Sequence, residues 1–321
     1  MTTALTIIQS APLAQLGNAG AAANRAAASH VFSAYAQRRP ANTLRRQRAD
    51  LDCFANCLAS FGANVTQDLS SEPEAWAGIT WGLVAAFVQW QLTQGYAIGS
   101  INVRLSTVKT YATLAMQTGT LSPTELAMIK TVSGFRHGEG RNVDAGRSTV
   151  RRGAKKAEAT SVGAGQALAL KDQADPRDAL IMCILLDHGL RCGEIAALDA
   201  SALDLAAGTM TFYRQKVHKT QTHRLSADTL RAAMKHLATP RSGSLFSTTT
   251  REINRRVGEL GQALGIERLS PHDARHYWAT AAARGKTDPK SLQDAGGWTS
   301  PAMVLRYIES AAIANEGVRL G

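Results

Sequence analysis

Residues 270–309, SPHDARHYWATAAARGKTDPKSLQDAGGWTSPAMVLRYIE, hold the most informative chemistry of the chain. Ser270-Pro271 is typical of a helix start, with Ser as the N-cap and Pro at the first helical position. His272 and Arg275 then lie on one face of the first turn. Because free backbone N–H groups at a helix start attract anions, these side chains indicate a phosphate site.

A second helix start follows at Ser300-Pro301, after a tight turn that the pair Gly296-Gly297 permits. The predicted helix carries apolar residues at helical spacing: Val304, Tyr307, Ile308 and Ala311. The turn would let both helices face one site. Taken alone, a Tyr on an apolar helix edge is most often a core residue. A Trp behind two glycines, here Trp298, is most often a hydrophobic plug.

His272 and His276 also approach the zinc-binding pattern H-E-x-x-H, in which two His residues four apart bind the metal. Position 273 is Asp, which is shorter than the Glu base of that pattern, and Arg275 would bring positive charge close to the metal. A zinc hydrolase therefore stays open as an alternative, and bound zinc would support it.

Composition narrows the class of partner. The chain has 321 residues and a formal charge of +11, with an isoelectric point of about 9.8. This length suits one large or two ordinary domains. The basic balance favours nucleic acid ahead of an anionic membrane. No apolar run approaches the roughly 18 residues that a membrane helix needs, so we expect no membrane partner.

The cysteines and the first residues indicate a cytoplasmic protein. The four Cys lack the paired C-x-x-C spacing of a zinc site and are typical of reduced thiols: Cys53, Cys57, Cys183 and Cys192. The opening stretch, MTTALTIIQSAPLAQ, lacks the basic region of a signal peptide.

Helical patterns dominate the first half of the chain. We expect residues 1–28, which are rich in small residues, to form a loose leader. Residues 29–135 follow as a helical domain. Helices are predicted over residues 30–37, from a cap at Asn42-Thr43, over residues 80–93 and over residues 100–117, with Ser100 as cap.

Six basic side chains in the first half of the chain are candidate DNA contacts: Arg45, Arg46, Arg104, Lys109, Arg151 and Arg152. The first two lie at a helix start, where positive charge is unfavourable and so needs another reason. The last two lie in residues 136–165, a Gly-, Ser- and Arg-rich stretch predicted to be a basic interdomain linker. Ordinary solvated surfaces explain the same charges, so both interpretations stay open.

Residues 166–321 form the second predicted domain, with a buried helix over Pro176–His188. Arg191 follows it between two glycines, an unusual place for a core residue, which suggests a buried arginine that pairs with an anion. Residues 209–215 and 222–226 are predicted to form two strands of a hairpin.

Three motifs, in this order, resemble the tyrosine recombinases, the phage integrase family: HGLRCGEIAAL, HDARHYWAT and GGWTSPAMVLRYI. The family pattern is His-x-x-Arg, then Gly followed by His or Trp, then a Tyr nine residues later. Here Tyr307 follows Trp298 at that spacing. Trp298 in place of the commoner His resembles the Cre-type branch, and Ala274 replaces the Leu that the family often has between His and Arg.

The resemblance implies a mainly α fold. Residues 29–135 would be the core-binding DNA-binding domain, and residues 166–321 the α+β catalytic domain with a small β-sheet. The tail after Tyr307 would dock onto a neighbouring subunit.

The resemblance also assigns roles. Tyr307 would be the nucleophile, forming a 3′-phosphotyrosyl bond, while Arg191 and Arg275 clamp the non-bridging phosphate oxygens. His272 would act as base or proton relay on Tyr307. Trp298 would donate one N–H, and Glu194 would support the site.

The family's catalytic lysine lies on a hairpin such as the one predicted at residues 209–226. We assign it to Lys219, whose distance of 28 residues from Arg191 resembles the Cre arrangement. Lys216 stays open as the alternative. This lysine would protonate the leaving 5′-oxygen.

Together these features predict a site-specific DNA recombinase or integrase. It would need no metal or other cofactor, because two arginines supply the charge. The partner would be double-stranded DNA with a specific site. The chain would be a monomer in solution and a tetramer on paired sites. The alternatives are a non-catalytic DNA-binding protein on the same scaffold and a type IB topoisomerase-like relaxing enzyme.

Overall fold

The computed structural model of the chain describes residues 16–148, 152, 159–239 and 242–311. The chain divides into two compact units, Met1–Lys155 and Lys156–Gly321. Residues 1–15 of the expected leader, Arg151 and residues 312–321 of the tail lie outside the described residues. None of the described helices is long and apolar enough to cross a membrane.

The first unit is built from helices throughout its described residues. They are α1 (residues 16–28), α2 (Val31–Gln37), α3 (Ala41–Ser60), α4 (Trp81–Thr93), α5 (Ile98–Gln117), α6 (Pro123–Thr131) and α7 (His137–Gly146). Helix α1 lies within the expected leader, and its side chains are mostly exposed. Helix α7 lies within the expected linker.

An aromatic contact joins α3 and α4 in the core of this unit. Phe54 of α3 is fully buried, and its ring centroid lies 5.0 Å from that of Phe87 of α4. Leu51 and Leu58 of α3 are buried as well. Phe61 is 53% exposed because it lies just beyond the helix end.

Two helix starts differ from the prediction. Helix α3 begins at Ala41 with Pro40 as N-cap, so Asn42 and Thr43 lie inside its first turn. A proline lacks the N–H that a helix interior requires, so it suits the position just before the helix. Helix α5 begins at Ile98, and Ser100 is likewise inside the helix.

The second unit packs helices around α9 and adds a small sheet. Its helices are α8 (Ala164–Lys171), α9 (Pro176–His188), α10 (Cys192–Ala196), α11 (Ala227–His236), α12 (Thr250–Ala263), α13 (Pro271–Arg284), α14 (Pro289–Gly296) and α15 (Pro301–Ala311). Helix α9 contacts α8, α11 and α13. As predicted, α9 is almost wholly buried.

The sheet has three antiparallel strands in the order β1 (Leu203–Asp204), β2 (Thr209–Arg214) and β3 (Lys219–Arg224). Strand β3 begins at Lys219, earlier than predicted, and Lys219 pairs with Arg214 across the hairpin. Met210, Phe212 and Arg214 alternate inward along β2 and are buried. The predicted fold class, mainly helical with a small β-sheet, is confirmed.

Candidate active site

Helix α13 begins where the sequence predicts and places two side chains of the site. Ser270 is its N-cap, and Asp273 Oδ2 accepts hydrogen bonds from the Ser270 backbone N at 2.8 Å and from its Oγ at 2.6 Å. Asp273 Oδ1 accepts the backbone N–H of Thr160 at 2.9 Å, which anchors the start of the second unit. His272 is exposed, whereas Arg275 is buried.

Arg275 ties α13 to the two turns that carry the other motifs. Its Nη1 donates to the carbonyl of Gly189, and its Nη2 donates to the carbonyl of Gly296. Burial, together with repulsion from Arg191 and Arg214, lowers the pKa of Arg275 to about 10. The guanidinium therefore remains charged at neutral pH, next to the cleft.

Glu194 is a buried carboxylate shared by two arginines. Its Oε1 accepts from Arg191 Nη1 at 2.8 Å. Its Oε2 accepts from the Arg191 backbone N and from Arg214 Nη1, both at 2.8 Å. Two positive charges thus surround one negative charge, so Arg191 retains charge for an anion in the cleft. Its Nη2 also donates to the carbonyl of Gly297 at 3.2 Å.

The turn between α14 and α15 needs both of its glycines. Gly297 has a φ of +58°, and a Cβ there would lie 2.5 Å from Arg214 Cδ. A Cβ on Gly296 would lie 2.2 Å from the Trp298 ring. The turn therefore brings Trp298 against its own backbone, where the Arg275 guanidinium lies 4.8 Å from the ring centroid.

Tyr307 lies on α15 and is 6% exposed. Its ring centroid lies 5.3 Å from that of Trp298 and 4.9 Å from that of His276. Burial raises the pKa of the Tyr307 phenol, while the positive charges of Arg275 and Arg191 oppose that rise. His276 entered the sequence argument only as a possible zinc ligand, and here it packs on Tyr307.

A cleft of about 540 Å³ collects most of the predicted residues. Its lining includes Arg191, Glu194, Lys216, His272, Arg275, Trp298 and Tyr307. Lys219 is not among the lining residues; it begins β3 with an exposed side chain. Of the two candidate lysines, the structure therefore brings Lys216, in the turn of the hairpin, to the cleft.

Two residues of the site were missed from the sequence. Arg214 is fully buried at the end of β2, and its Nε donates to Gln221 Oε1 on β3. Gln221 Nε2 in turn donates to the carbonyl of Asp294 at 2.6 Å. A charged residue at an inward position of an alternating strand was the available signal for Arg214.

The candidate DNA contacts of the first unit differ in how far they are engaged. Arg45 is exposed and donates to Asn42 Oδ1 at 2.6 Å. Arg46 pairs with Asp50 at 2.6 Å and keeps 46% of its side chain exposed. Arg104 is enclosed, with its guanidinium 4.0 Å from the Tyr96 ring centroid.

The remaining two candidates also make internal contacts. Lys109 Nζ donates to the carbonyls of Lys130, at 2.9 Å, and Val132. Burial lowers the pKa of Lys109. The Arg152 guanidinium lies 5.3 Å from the Tyr96 ring centroid. Both side chains therefore have partners within the first unit.

The spacing of His272 and His276 raised a zinc site as an alternative. Over the described ranges of the chain, no three His, Cys, Asp or Glu side chains gather as ligands of a metal ion would.

Residues 164–313 match the sequence profile of the phage integrase family. The tyrosine recombinase XerC of Pseudomonas entomophila (strain L48) is 29% identical over 128 residues, which cover 37% of this chain and 43% of that protein. XerC of Haemophilus ducreyi (strain 35000HP / ATCC 700724) is 25% identical over 233 residues, or 67% of this chain and 71% of that protein. With the first of these relatives, the match spans less than half of its length.

Solved structures share the fold. A lambda integrase fragment (75–356), solved as a dimer bound to a COC′ core site, has 15% identity and a TM-score of 0.61, covering 91% of this chain and 96% of that chain. The Tn1549 transposon integrase in complex with circular intermediate DNA has 15% identity and a TM-score of 0.59, covering 87% of this chain and 94% of that chain. At such identities the likeness concerns the fold.

The matched residues include all three motifs that line the cleft, from Arg191 in the turn after α9 to Tyr307 on α15. Over residues 164–313 the chain is similar to the phage integrase family.

Proposed function

We propose that this protein is a site-specific DNA recombinase that cleaves and rejoins DNA through a covalent bond to Tyr307. The observation that carries the proposal is the composition of one cleft. Two arginines, a lysine, a histidine, an indole and a buried tyrosine line the same cleft of about 540 Å³. Phosphodiester transfer needs these groups: a nucleophile, charge for the non-bridging oxygens and a proton for the leaving oxygen.

The proposed step conserves the phosphodiester. Tyr307 Oη attacks phosphorus, its proton passes to His272, and the bond from phosphorus to the 5′-oxygen breaks. Arg191 and Arg275 stabilise the charge that develops on the non-bridging oxygens, and Trp298 contributes one N–H. The leaving 5′-oxygen takes a proton from a hairpin lysine. Because Lys216 lines the cleft and Lys219 does not, Lys216 is favoured over Lys219, which was the choice made from the sequence.

Double-stranded DNA is the proposed partner. The protein would be a monomer in solution and would assemble as a tetramer on two paired DNA sites. The XerC relatives are named as tyrosine recombinases, and the lambda integrase neighbour was solved on a DNA core site. The positive charge of the chain supports the same partner. Trp298 supports a place in the Cre-type branch, and a cytoplasmic, nucleoid-associated location would follow from this activity.

A covalent-adduct assay tests the proposal. Nicked duplexes that tile the DNA flanking the gene would be incubated with the protein, stopped with detergent and examined for protein attached to DNA. Adducts that form with the wild type and vanish in Tyr307→Phe are the expected result. Tight binding of the same duplexes without any adduct would instead favour a DNA-binding protein. Relaxation of any supercoiled plasmid by the monomer would favour a topoisomerase-like enzyme.

A further inference from the structure

Arg214 occupies an unusual position for an arginine. Its side chain is fully shielded from solvent at the last residue of β2. The guanidinium nevertheless has three partners: Glu194 Oε2 at 2.8 Å, the carbonyl of Ala295 at 2.5 Å and Gln221 Oε1. It also lies over the Phe212 ring, with 4.8 Å to the centroid. A buried charge with this many partners is built into its place and is costly to disturb.

Two of these contacts reach the end of α14. Arg214 donates to the carbonyl of Ala295, and Gln221 Nε2 donates to that of Asp294 at 2.6 Å. The last carbonyls of a helix lack the N–H partners of its interior, and that of Asp294 also accepts the backbone N–H of Gly297 at 3.0 Å. The β2–β3 hairpin therefore supplies donors to the turn that leads through Gly297 into Trp298.

These two contacts, from Arg214 to Ala295 and from Gln221 to Asp294, form what we call the hairpin tie. The hairpin tie lies at the base of the turn that holds both candidate lysines. Arg214 is paired with Lys219 across the hairpin, and Lys216 follows Arg214 within that turn. Gly297, in the turn after α14, packs directly against Arg214, because a Cβ at this position would collide with Arg214 Cδ. Whichever lysine donates the proton, its strand is held at Arg214.

We propose that Arg214 is a positioning residue that, with Gln221, holds the lysine-bearing hairpin against the Gly296-Gly297-Trp298 turn. This inference rests on the proposed function. In the cleavage step the lysine gives its proton to the 5′-oxygen as the bond from phosphorus to that oxygen breaks. Arg214 itself is not among the residues that line the cleft. Its loss misplaces the proton donor, so leaving-group protonation is the part of the step that suffers.

A substrate with sulfur in place of the bridging 5′-oxygen isolates that part. A thiolate leaves without protonation at neutral pH because the pKa of a thiol is only about 8.5. We would measure single-turnover adduct formation on the oxygen and sulfur duplexes. The enzymes compared are the wild type, Arg214→Lys and Gln221→Leu. Thr211→Ala serves as control, since it breaks only the exposed Thr211–Thr222 contact on the same hairpin.

Arg214→Lys keeps a positive charge beside Glu194 but cannot serve all three partners. On the oxygen substrate, Arg214→Lys and Gln221→Leu are expected to form adducts roughly tenfold to a hundredfold more slowly than the wild type. On the sulfur substrate, their rates are expected to lie within about threefold of the wild-type rate. Thr211→Ala is expected to match the wild type on both. If Arg214→Lys fails to fold, Gln221→Leu, whose side chain is only half-buried, carries the test.

Two results would overturn the inference: unchanged rates on the oxygen substrate, or an equal slowing on both substrates. The second would mean that Arg214 acts on the phosphate charge or on the fold. Failure of the wild type on both substrates would be a different outcome. It would remove the proposed function, and this inference with it.

Discussion

The phenol ring of Tyr307 lies against the indole of Trp298, with ring centroids 5.3 Å apart and planes tilted by 33°. The same indole receives the Arg275 guanidinium at 4.8 Å. One side chain thus contacts both the proposed nucleophile and one of the proposed phosphate clamps. Trp298 can therefore set their relative position by packing, beside any N–H that it donates.

Trp298→Ala and Trp298→Phe should separate packing from hydrogen bonding. Phe keeps a ring against Tyr307 and loses the N–H, whereas Ala loses both. We expect Ala to slow adduct formation by roughly 100-fold, since a misplaced reactive group has a cost of that order. Phe should lose about tenfold or less. Single-turnover cleavage measures both, and equal losses would assign the role to the N–H alone.

Gly297→Ala should destabilise the second unit more than an ordinary change at a positive φ. The left-handed conformation itself costs roughly 1–2 kcal/mol for Ala. The clash with Arg214 adds an overpacking cost of roughly 1–3 kcal/mol. Gly265→Ala is the matched control, because Gly265 has a φ of +69° and open space around its Cβ position.

Urea unfolding of the two glycine variants gives the comparison. The difference between them reports the steric term at Arg214. Equal free energies of unfolding would mean that Arg214 moves aside without cost.

Lys216→Ala and Lys219→Ala should differ sharply. Lys216 lines the cleft and Lys219 does not. Loss of a general acid typically costs roughly 10²–10⁴ in rate. We therefore expect that loss for Lys216→Ala and a change of only a few-fold for Lys219→Ala, measured as adduct formation on a nicked duplex. The reverse order would restore the choice made from the sequence.

Arg45→Ala and Arg104→Ala should affect different properties. Arg45 is exposed, and its side chain donates a hydrogen bond to its near neighbour Asn42. Its loss should weaken DNA binding and reduce the salt dependence by about one counterion, without changing stability. Arg104 is enclosed by Tyr96, Gln91 and Asp50. Its loss should lower the free energy of unfolding by roughly 1–3 kcal/mol.

Binding titrations at two salt concentrations and urea unfolding, run on both arginine variants, make this test. An Arg45→Ala variant with an unchanged salt slope would remove Arg45 from the DNA contacts.

Stability should fall in mild acid. Burial lowers the pKa values of His188 and His223 to about 4. An unfolded His binds a proton below about pH 6.5. Between these values the unfolded chain binds more protons, so stability is complete above about pH 6.5 and is lost as the pH falls toward 4. The slope is roughly 1.4 kcal/mol per pH unit for each independent histidine.

Urea unfolding at about pH 7.5 and about pH 5 measures that slope, and His223→Phe tests its source. The ring is kept beside Phe212, which His223 meets edge-on with 4.9 Å between centroids. The variant also removes Nε2, a buried atom without a hydrogen-bond partner among the described residues. We expect a shallower slope. An unchanged slope would place the acid sensitivity in other groups.

Local signals explain why much of the second unit was predictable. Ser270-Pro271 and Ser300-Pro301 start α13 and α15, since a helix start is decided by a few adjacent residues. The apolar run that becomes α9 was equally clear. Helices α6 and α14 were missed although Ser122-Pro123 and Asp288-Pro289 carry the same start signal.

The sequence by itself determined the helical class, the order of the motifs and the residue types that reach the cleft. These follow from adjacent residues, through capping, periodicity and spacing. Arg191, Arg275 and Tyr307 could be named without any coordinates.

The tertiary structure alone decided which distant groups share a charge or a carbonyl. Arg214 meets Ala295 across 81 positions of sequence, and no local pattern reports that contact. It also brought Lys216 rather than Lys219 to the cleft, and it enclosed Arg104 and Lys109 within the first unit. The physical reason is that burial and pairing depend on neighbours far along the chain, and these exist only once the helices and the hairpin have packed.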